Sequence, residues 1–133
     1  MATVIKQIRI EARPEAIWPA FRAIGEIHER LARGFVTDTK MDGEDRIVSF
    51  ANGLVVRERI VSLDEETRRL VYSVAGGGLT HHNASFQVFA DGPEASRVVW
   101  IADMLPHEAA ETVGGMMEEG CEAMRRTLES GRG

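Results

Sequence analysis

The sequence has few of the features that mark secreted, membrane-spanning or nucleic-acid-binding proteins. Its single cysteine, Cys121, excludes a disulfide within the chain. It has no run of 18 or more apolar residues and no signal-peptide pattern at its start, so no membrane insertion is predicted. Acidic residues number 21 against 16 basic ones, and no basic cluster exceeds two residues, which argues against nucleic-acid binding. The simplest interpretation is a cytoplasmic protein.

The composition that remains is that of a globular protein. With 133 residues, 44% hydrophobic and 28% charged, the chain fits a single domain over residues 1–133. Alternation of apolar and polar residues predicts seven strands, and helical spacing predicts two short helices after the first strand and one long helix at the end. The predicted strands cover residues 4–12, 35–41, 46–51, 54–63, 69–75, 80–90 and 96–105, and the long helix covers residues 107–129. Short turns such as Asp42-Gly43 and Asn52-Gly53 make the sheet an antiparallel meander.

The long helix has an apolar stripe that must be buried against this sheet. Its members follow one another at intervals of four, four, three and four residues: Val113, Met117, Cys121, Met124 and Leu128. The fold class is therefore α+β, a helix-grip fold in which a curved seven-stranded antiparallel sheet encloses a cavity with the helix. Cys121 lies on the stripe and is interpreted as a small core residue.

Four segments, taken in order, resemble the START-like (SRPBCC) superfamily, in particular its polyketide cyclase/dehydrase-like branch. They are ARPEAIW at 12–18, GLVVRE at 53–58, RRLVY at 68–72 and SRVVW at 96–100. The resemblance implies the helix-grip fold over nearly the whole chain. It does not specify function, because this fold hosts lipid carriers, hormone receptors, cyclases and co-chaperones. His81 and His82 replace an Asn-Tyr-like pair that many members carry, so no role of that tyrosine is transferred.

Glu58 is predicted to face the cavity. It shares a face of its strand with Leu54, Val56 and Ile60, the more apolar of the two faces. A carboxylate removed from water is either paired or has its pKa raised. Glu58 is therefore either a general acid or base or a member of a structural hydrogen bond or ion pair.

His82 is the second titratable residue predicted to face inward. It shares a face with Ala84 and Phe86, whereas His81 lies on the opposite face. Because imidazole titrates near neutral pH, His82 is a candidate proton shuttle, the alternative being a histidine satisfied at the cavity edge.

No metal or other cofactor is predicted. Adjacent strand residues point to opposite faces, so His81 and His82 cannot readily share a metal ion. The remaining histidines, His28 and His107, lie on other elements, and nothing has the spacing of metal ligands. The sequence also lacks a phosphate-binding loop, a nucleophile elbow and a dinucleotide fingerprint.

The remaining predicted cavity residues are mostly apolar. Trp100 faces inward, either as plain core packing or as a ligand contact, and Met117 belongs to a methionine wall that can adapt to varied ligands. The full predicted ligand-binding set is Glu58, Tyr72, His82, Phe86, Trp100 and Met117. The helix glycines, Gly114, Gly115 and Gly120, indicate either close approach of helix and sheet or a weakened lid.

The opposite face of the sheet suggests two further interpretations. Val99, Ile101 and Ile5 form an unusually apolar patch, which predicts either a homodimer contact or a covering loop. Asp103 is predicted to point away from the cavity and to pair with Arg9 or cap the last helix.

Three functions are compatible with these features. The first is a protein that binds a small, largely apolar molecule in the cavity. The second is a cyclase or dehydratase acting on a polyketide-like or aromatic substrate, with Glu58 and His82 as proton shuttles. The third is an interaction module resembling the Hsp90-activating co-chaperones of the superfamily.

Overall fold

The computed structural model describes residues 2–76 and 78–130 of the chain. The elements follow in the order β1 (Ala2–Ile10), α1 (Pro14–Arg22), α2 (Ile27–Arg30), β2 (Val36–Asp42), β3 (Asp45–Phe50), β4 (Val55–Asp64), β5 (Arg69–Ala75), β6 (His81–Ala90), β7 (Ser96–Leu105), one 3₁₀ turn (His107–Ala109) and α3 (Ala110–Glu129). The predicted elements are all present; β5 and β7 have the predicted ends, and the other ends differ from the predictions by at most three residues.

The seven strands form one curved antiparallel sheet in the order β1-β7-β6-β5-β4-β3-β2. Strands β2 to β7 are a meander, because each pairs with the next along the chain. Strand β1 pairs with β7 and forms one edge of the sheet. Helix α3 lies against the inner face of the sheet, where a methyl group added at Gly114 would meet Val4 and one added at Gly120 would meet Trp100. The predicted helix-grip fold is confirmed.

The hairpin between β3 and β4 sets which residues face each other across the sheet. The amide of Phe50 donates to the carbonyl of Leu54, so the loop contains three residues, and its last residue, Gly53, has φ of +93°. A three-residue loop that ends in a left-handed glycine is a common hairpin connection. The resulting register places Arg46 opposite Glu58.

The two ends of the sheet differ in how they are filled. At the end that we call the closed end, α1 packs its large apolar residues into the core, and Trp18 donates a hydrogen bond of 2.7 Å to Glu65 in the β4–β5 turn. Residues that are almost fully buried include Phe21, Leu70 and Leu128. The open end lies where α3 begins, and its apolar residues are only half-buried: Phe50, Leu54, Val74, Leu79 and Val113.

Asp103 lies on the outer face, as predicted, but its partner was predicted wrongly. The hydroxyl of Thr3, which is opposite Asp103 in the β1–β7 register, donates a hydrogen bond of 2.6 Å to its carboxylate. Arg9 is too far along β1 to reach Asp103, because it pairs with Arg97 and hydrogen-bonds Asp91 instead.

The apolar patch on the outer face is not covered by a loop at its centre. Ile5 lies directly opposite Ile101, and 58% of its surface is exposed. A homodimer contact at this patch stays a prediction.

Candidate functional site

A cavity of about 310 Å³ lies between the inner face of the sheet and α3. Most of its lining is apolar, and the half-buried residues of the open end mark the side on which it reaches the surface. All six residues predicted to bind a ligand line this cavity: Glu58, Tyr72, His82, Phe86, Trp100 and Met117. The structure therefore brings the predicted site residues together. Arg46, which was not predicted as a site residue, also lines the cavity.

Arg46 and Glu58 form a buried ion pair in the cavity wall. They are direct cross-strand partners, and Nε of Arg46 donates to Oε1 of Glu58 at 2.8 Å. Their side chains are only 2% and 8% exposed. Arg46 also donates from Nη1 to the carbonyl of Ile24 at 3.1 Å, and its guanidinium lies 5.5 Å from the ring centre of Tyr72. Glu58 is thus a paired carboxylate, and a role as general acid or base stays a prediction.

The signal that could have identified Arg46 is the register of the β3–β4 hairpin. Asn52-Gly53 alone suggests a two-residue loop, which would place residue 47 opposite Glu58. The observed three-residue loop shifts the pairing by one, so that Arg46 and Glu58 are each six residues from Asn52. A shift of one residue moves a side chain to the other face of a strand. The sequence did not distinguish the two loops.

The imidazole of His82 replaces part of the backbone ladder between β5 and β6. Regular pairing of these strands ends at Tyr72 and Ala84. Two residues further on, the amide of Val74 donates to Nδ1 of His82 at 3.1 Å instead of to a backbone carbonyl. Burial, followed by the nearby charge of His81, lowers the pKa of His82, although Asp103 partly opposes this effect. His82 is therefore neutral at physiological pH.

Glu58 and His82 line the same cavity but do not contact each other. Glu58 is the cross-strand partner of Val74, and Val74 donates to His82, so the three residues form a row across β4, β5 and β6. Two strand spacings separate the backbones of Glu58 and His82 by about 10 Å. Both can touch one ligand, whereas direct proton transfer between them requires an intervening molecule.

Three stacked aromatic rings form the back wall of the cavity. Phe86 stacks on Trp100 with ring centres 4.5 Å apart and on Tyr72 at 5.9 Å. The indole N–H of Trp100 donates to the hydroxyl oxygen of Tyr72 at 2.9 Å. Burial, and then the negative charge of Glu58, raises the pKa of Tyr72, so its O–H stays protonated as a hydrogen-bond donor. The three rings turn their faces to one another, and together they make this side of the cavity apolar.

Helix α3 closes the cavity on the other side. Met117 is buried in its lining, and Met116 is half-buried beside it. A methyl group at Gly120 would lie 2.9 Å from the Trp100 ring and 3.2 Å from Phe35, so this glycine permits close approach of helix and sheet. Gly115, in contrast, has nothing within 4 Å of such a methyl group. Close approach therefore explains Gly120 and does not explain Gly115.

The other candidate residues lie outside the cavity. His81 is exposed, and Asp103 is on the outer face. Cys121 is buried against the sheet, and its burial raises the pKa of the thiol to about 11, which makes it a poor nucleophile. Within residues 2–76 and 78–130, no three His, Cys, Asp or Glu residues are grouped so that they could hold a metal ion. No helix in the same ranges is both long and apolar enough to cross a membrane.

The whole chain matches one protein family, and its fold matches many solved structures. The family described as polyketide cyclase/dehydrase and lipid transport covers residues 1–129. The chain belongs to this family. No curated protein sequence matches it. The family therefore confirms the resemblance seen in the four sequence segments and fits a ligand-binding fold.

Three solved structures illustrate how widely this family's fold is shared. XoxI from Bacillus cereus is 20% identical, with a TM-score of 0.85 and 96% of each chain covered. A START superfamily protein from Mycobacterium smegmatis is 13% identical, with a TM-score of 0.74 and coverage of 98% of this chain and 96% of that one. Norcoclaurine synthase from Thalictrum flavum is 14% identical, with a TM-score of 0.73 and coverage of 96% and 92%. At these identities the likeness concerns the fold alone.

Proposed function

We propose that this chain binds a small, largely apolar molecule in the cavity between the sheet and α3. The observation that carries the proposal is the combination of an apolar lining with polar groups that converge on the same space: the Arg46–Glu58 pair, the Tyr72 hydroxyl and His82. Small-molecule sites typically combine an apolar lining with a few polar groups that orient the ligand.

The volume of the cavity restricts the size of the ligand. About 310 Å³ equals roughly ten water molecules in the liquid and lies at the lower end of the range for ligand sites. A two-chain lipid would extend far beyond this space.

The test is a ligand screen with a matched pair of cavity variants. Aromatic and apolar metabolites are screened by NMR and thermal shift against the unchanged protein, Val113→Trp and Glu119→Trp. Val113 lines the cavity on α3, whereas Glu119 is exposed on the same helix. We expect binders that lose affinity with Val113→Trp and keep it with Glu119→Trp. Binders that are indifferent to both variants would place the site elsewhere.

An enzyme of the cyclase or dehydratase kind is a second candidate. It is favoured by the position of Glu58 and His82 in one row of the same cavity wall. In this alternative the Glu58 carboxylate accepts a proton from the substrate. If a ligand found in the screen is also converted, Glu58→Gln should abolish conversion while binding remains. An intact rate with Glu58→Gln would exclude this role.

The third possibility, an interaction module resembling the Hsp90-activating co-chaperones, stays a prediction. It requires that partner binding be independent of the cavity. A pull-down with Hsp90 that is unaffected by Val113→Trp would favour it, and the absence of Hsp90 binding would exclude it.

A further inference from the structure

We infer that His82 is a specificity-determining hydrogen-bond donor, held as its Nε2–H tautomer by the backbone of β5, and that the ligand presents an acceptor oxygen to it. This inference rests on the proposed function, since it names the chemistry of a ligand in the same cavity. In this inference His82 is a fixed hydrogen-bond donor to the ligand and does not accept a proton from it.

The tautomer follows from the contact with Val74. The backbone N–H of Val74 donates to Nδ1 of His82 at 3.1 Å, which requires a lone pair on Nδ1. A neutral imidazole has one nitrogen that accepts and one that donates, so the proton must be on Nε2. A second proton on Nδ1 would face the Val74 N–H, and the bond would be replaced by repulsion between two donors.

The geometry of the sheet keeps His82 in this state. Because β5 and β6 separate after Tyr72 and Ala84, the Val74 amide has lost its backbone acceptor, and the imidazole supplies the substitute. A fully buried amide left unsatisfied costs about 1–3 kcal/mol, and part of this cost opposes rotation of the ring, since Val74 is half-buried. The centre of the His82 ring also lies 5.8 Å from that of Tyr72, which supports the ring on one side.

The Nε2–H is left for a ligand. Among the described residues, none hydrogen-bonds Nε2, and His82 lines the cavity. A donor at this position is matched by a carbonyl or other acceptor oxygen, whereas an ammonium or a purely hydrocarbon edge leaves it unsatisfied. Across the row, the Glu58 carboxylate accepts from Arg46 alone among the described residues. It keeps capacity for an O–H or N–H at the ligand's other end.

The tautomer can be measured without a ligand. Long-range ¹H–¹⁵N NMR of the full chain at neutral pH separates the two imidazole tautomers and the imidazolium, and His82→Gln identifies the signals of His82. We expect a protonated Nε2 and an unprotonated Nδ1. A proton on Nδ1, alone or with one on Nε2, would overturn the inference whether or not a ligand binds.

The ligand preference is tested with two probes of nearly the same shape, 2-acetylnaphthalene and 2-isopropenylnaphthalene, which differ by a carbonyl oxygen. One hydrogen bond predicts that the ketone binds about 2- to 10-fold more tightly to the unchanged protein. His82→Phe should reduce the ketone's affinity to that of the hydrocarbon. His82→Gln can still accept from Val74 and donate to the ligand, so it should keep part of the preference.

His81→Phe is the matched control, because His81 is the exposed neighbour on the opposite face. It should leave the affinity for both probes unchanged. Equal affinity of the two probes for the unchanged protein, which needs no folded variant, would refute the inference and leave the proposed function intact. Binding of neither probe would count against the proposed function and against the ligand part of the inference, and the tautomer measurement would still decide the state of His82.

Discussion

The closed and open ends of the sheet use the same strands and the same helix to opposite effect. At the closed end, α1 fills the concave face with large side chains, and residues such as Phe21 and Leu128 are almost fully buried. At the open end, the first half of α3 covers the sheet and is only half-buried, and the cavity remains beneath it. The closed end therefore supplies stability, and the open end supplies the site.

The distribution of polar groups follows the same division. Among the polar side chains that line the cavity, Glu58 and His82 lie in one row across β4, β5 and β6, where Arg46 and the Val74 amide hydrogen-bond them. Buried polar groups need such partners wherever the interior is dry. A site at this end can thus keep charged and neutral hydrogen-bonding groups without weakening the packed core.

The largest effect is expected from breaking the ion pair at the open end. Arg46→Met leaves the Glu58 carboxylate buried without its partner, which should lower the free energy of unfolding by about 3–5 kcal/mol. Denaturant unfolding measures the loss. The double variant with Glu58→Leu, which removes both charges, should recover most of it. A loss below about 1 kcal/mol for Arg46→Met would show that water in the cavity solvates Glu58. The open end would then be more hydrated, relative to the closed end, than the burial of its residues suggests.

A matched pair of leucines compares the packing of the two ends directly. Leu128→Ala removes a side chain that is 2% exposed at the closed end and should lower the free energy of unfolding by about 2–5 kcal/mol. Leu79→Ala acts on a half-buried leucine that lines the open cavity and should lower it by less than half as much. Chemical denaturation of both variants checks the order. Equal losses would mean that the open end is packed as tightly as the closed end.

The glycines of α3 provide a smaller test within one helix. Gly115→Ala places a methyl group in open space and should stabilise the protein by up to about 1 kcal/mol through helix propensity. Gly120→Ala gains the same propensity but places its methyl group 2.9 Å from Trp100, so the ring or the helix must shift. We expect Gly120→Ala to be the less stable of the two in thermal unfolding. It should also reduce ligand affinity, which Gly115→Ala should leave unchanged.

The smallest effect concerns the pH dependence of stability. The lowered pKa of His82 means that the unfolded chain binds a proton at this residue before the folded protein does. Its contribution to stability is fully present above about pH 6.5, the ordinary histidine pKa, and is lost as the pH falls through the folded-state pKa of His82. The difference in unfolding free energy between the unchanged protein and His82→Gln should therefore shrink on acidification.

His107→Gln serves as the control for this measurement, because His107 is exposed. A pH dependence that both variants share is not specific to His82. If the difference in unfolding free energy between the unchanged protein and His82→Gln grew on acidification, the prediction would be contradicted.

The alternation of side chains was sufficient to identify several of the residues that line the cavity. It placed Glu58, His82, Phe86 and Trp100 on the inner face because neighbouring strand residues point to opposite sides. For the same reason it excluded His81 and Asp103 from the cavity. These predictions depend only on the parity of positions within one strand, which the sequence displays directly.

Pairing between strands was harder to predict. The Arg46–Glu58 pair depends on whether the β3–β4 loop has two or three residues, and both loops are compatible with Asn52-Gly53. The partner of Asp103 depends on the β1–β7 register, which joins strands almost a hundred residues apart in the chain. The wrong prediction of Arg9 as that partner has this cause.

The sequence by itself determined the order of the elements, the inward and outward faces of each strand and the apolar stripe of α3, because each is a local periodicity. Only the tertiary structure decided which polar groups meet. The separation of β5 from β6 made His82 the acceptor for Val74, and the hairpin register made Arg46 the partner of Glu58. Both contacts depend on distances between separate strands, which no local pattern contains.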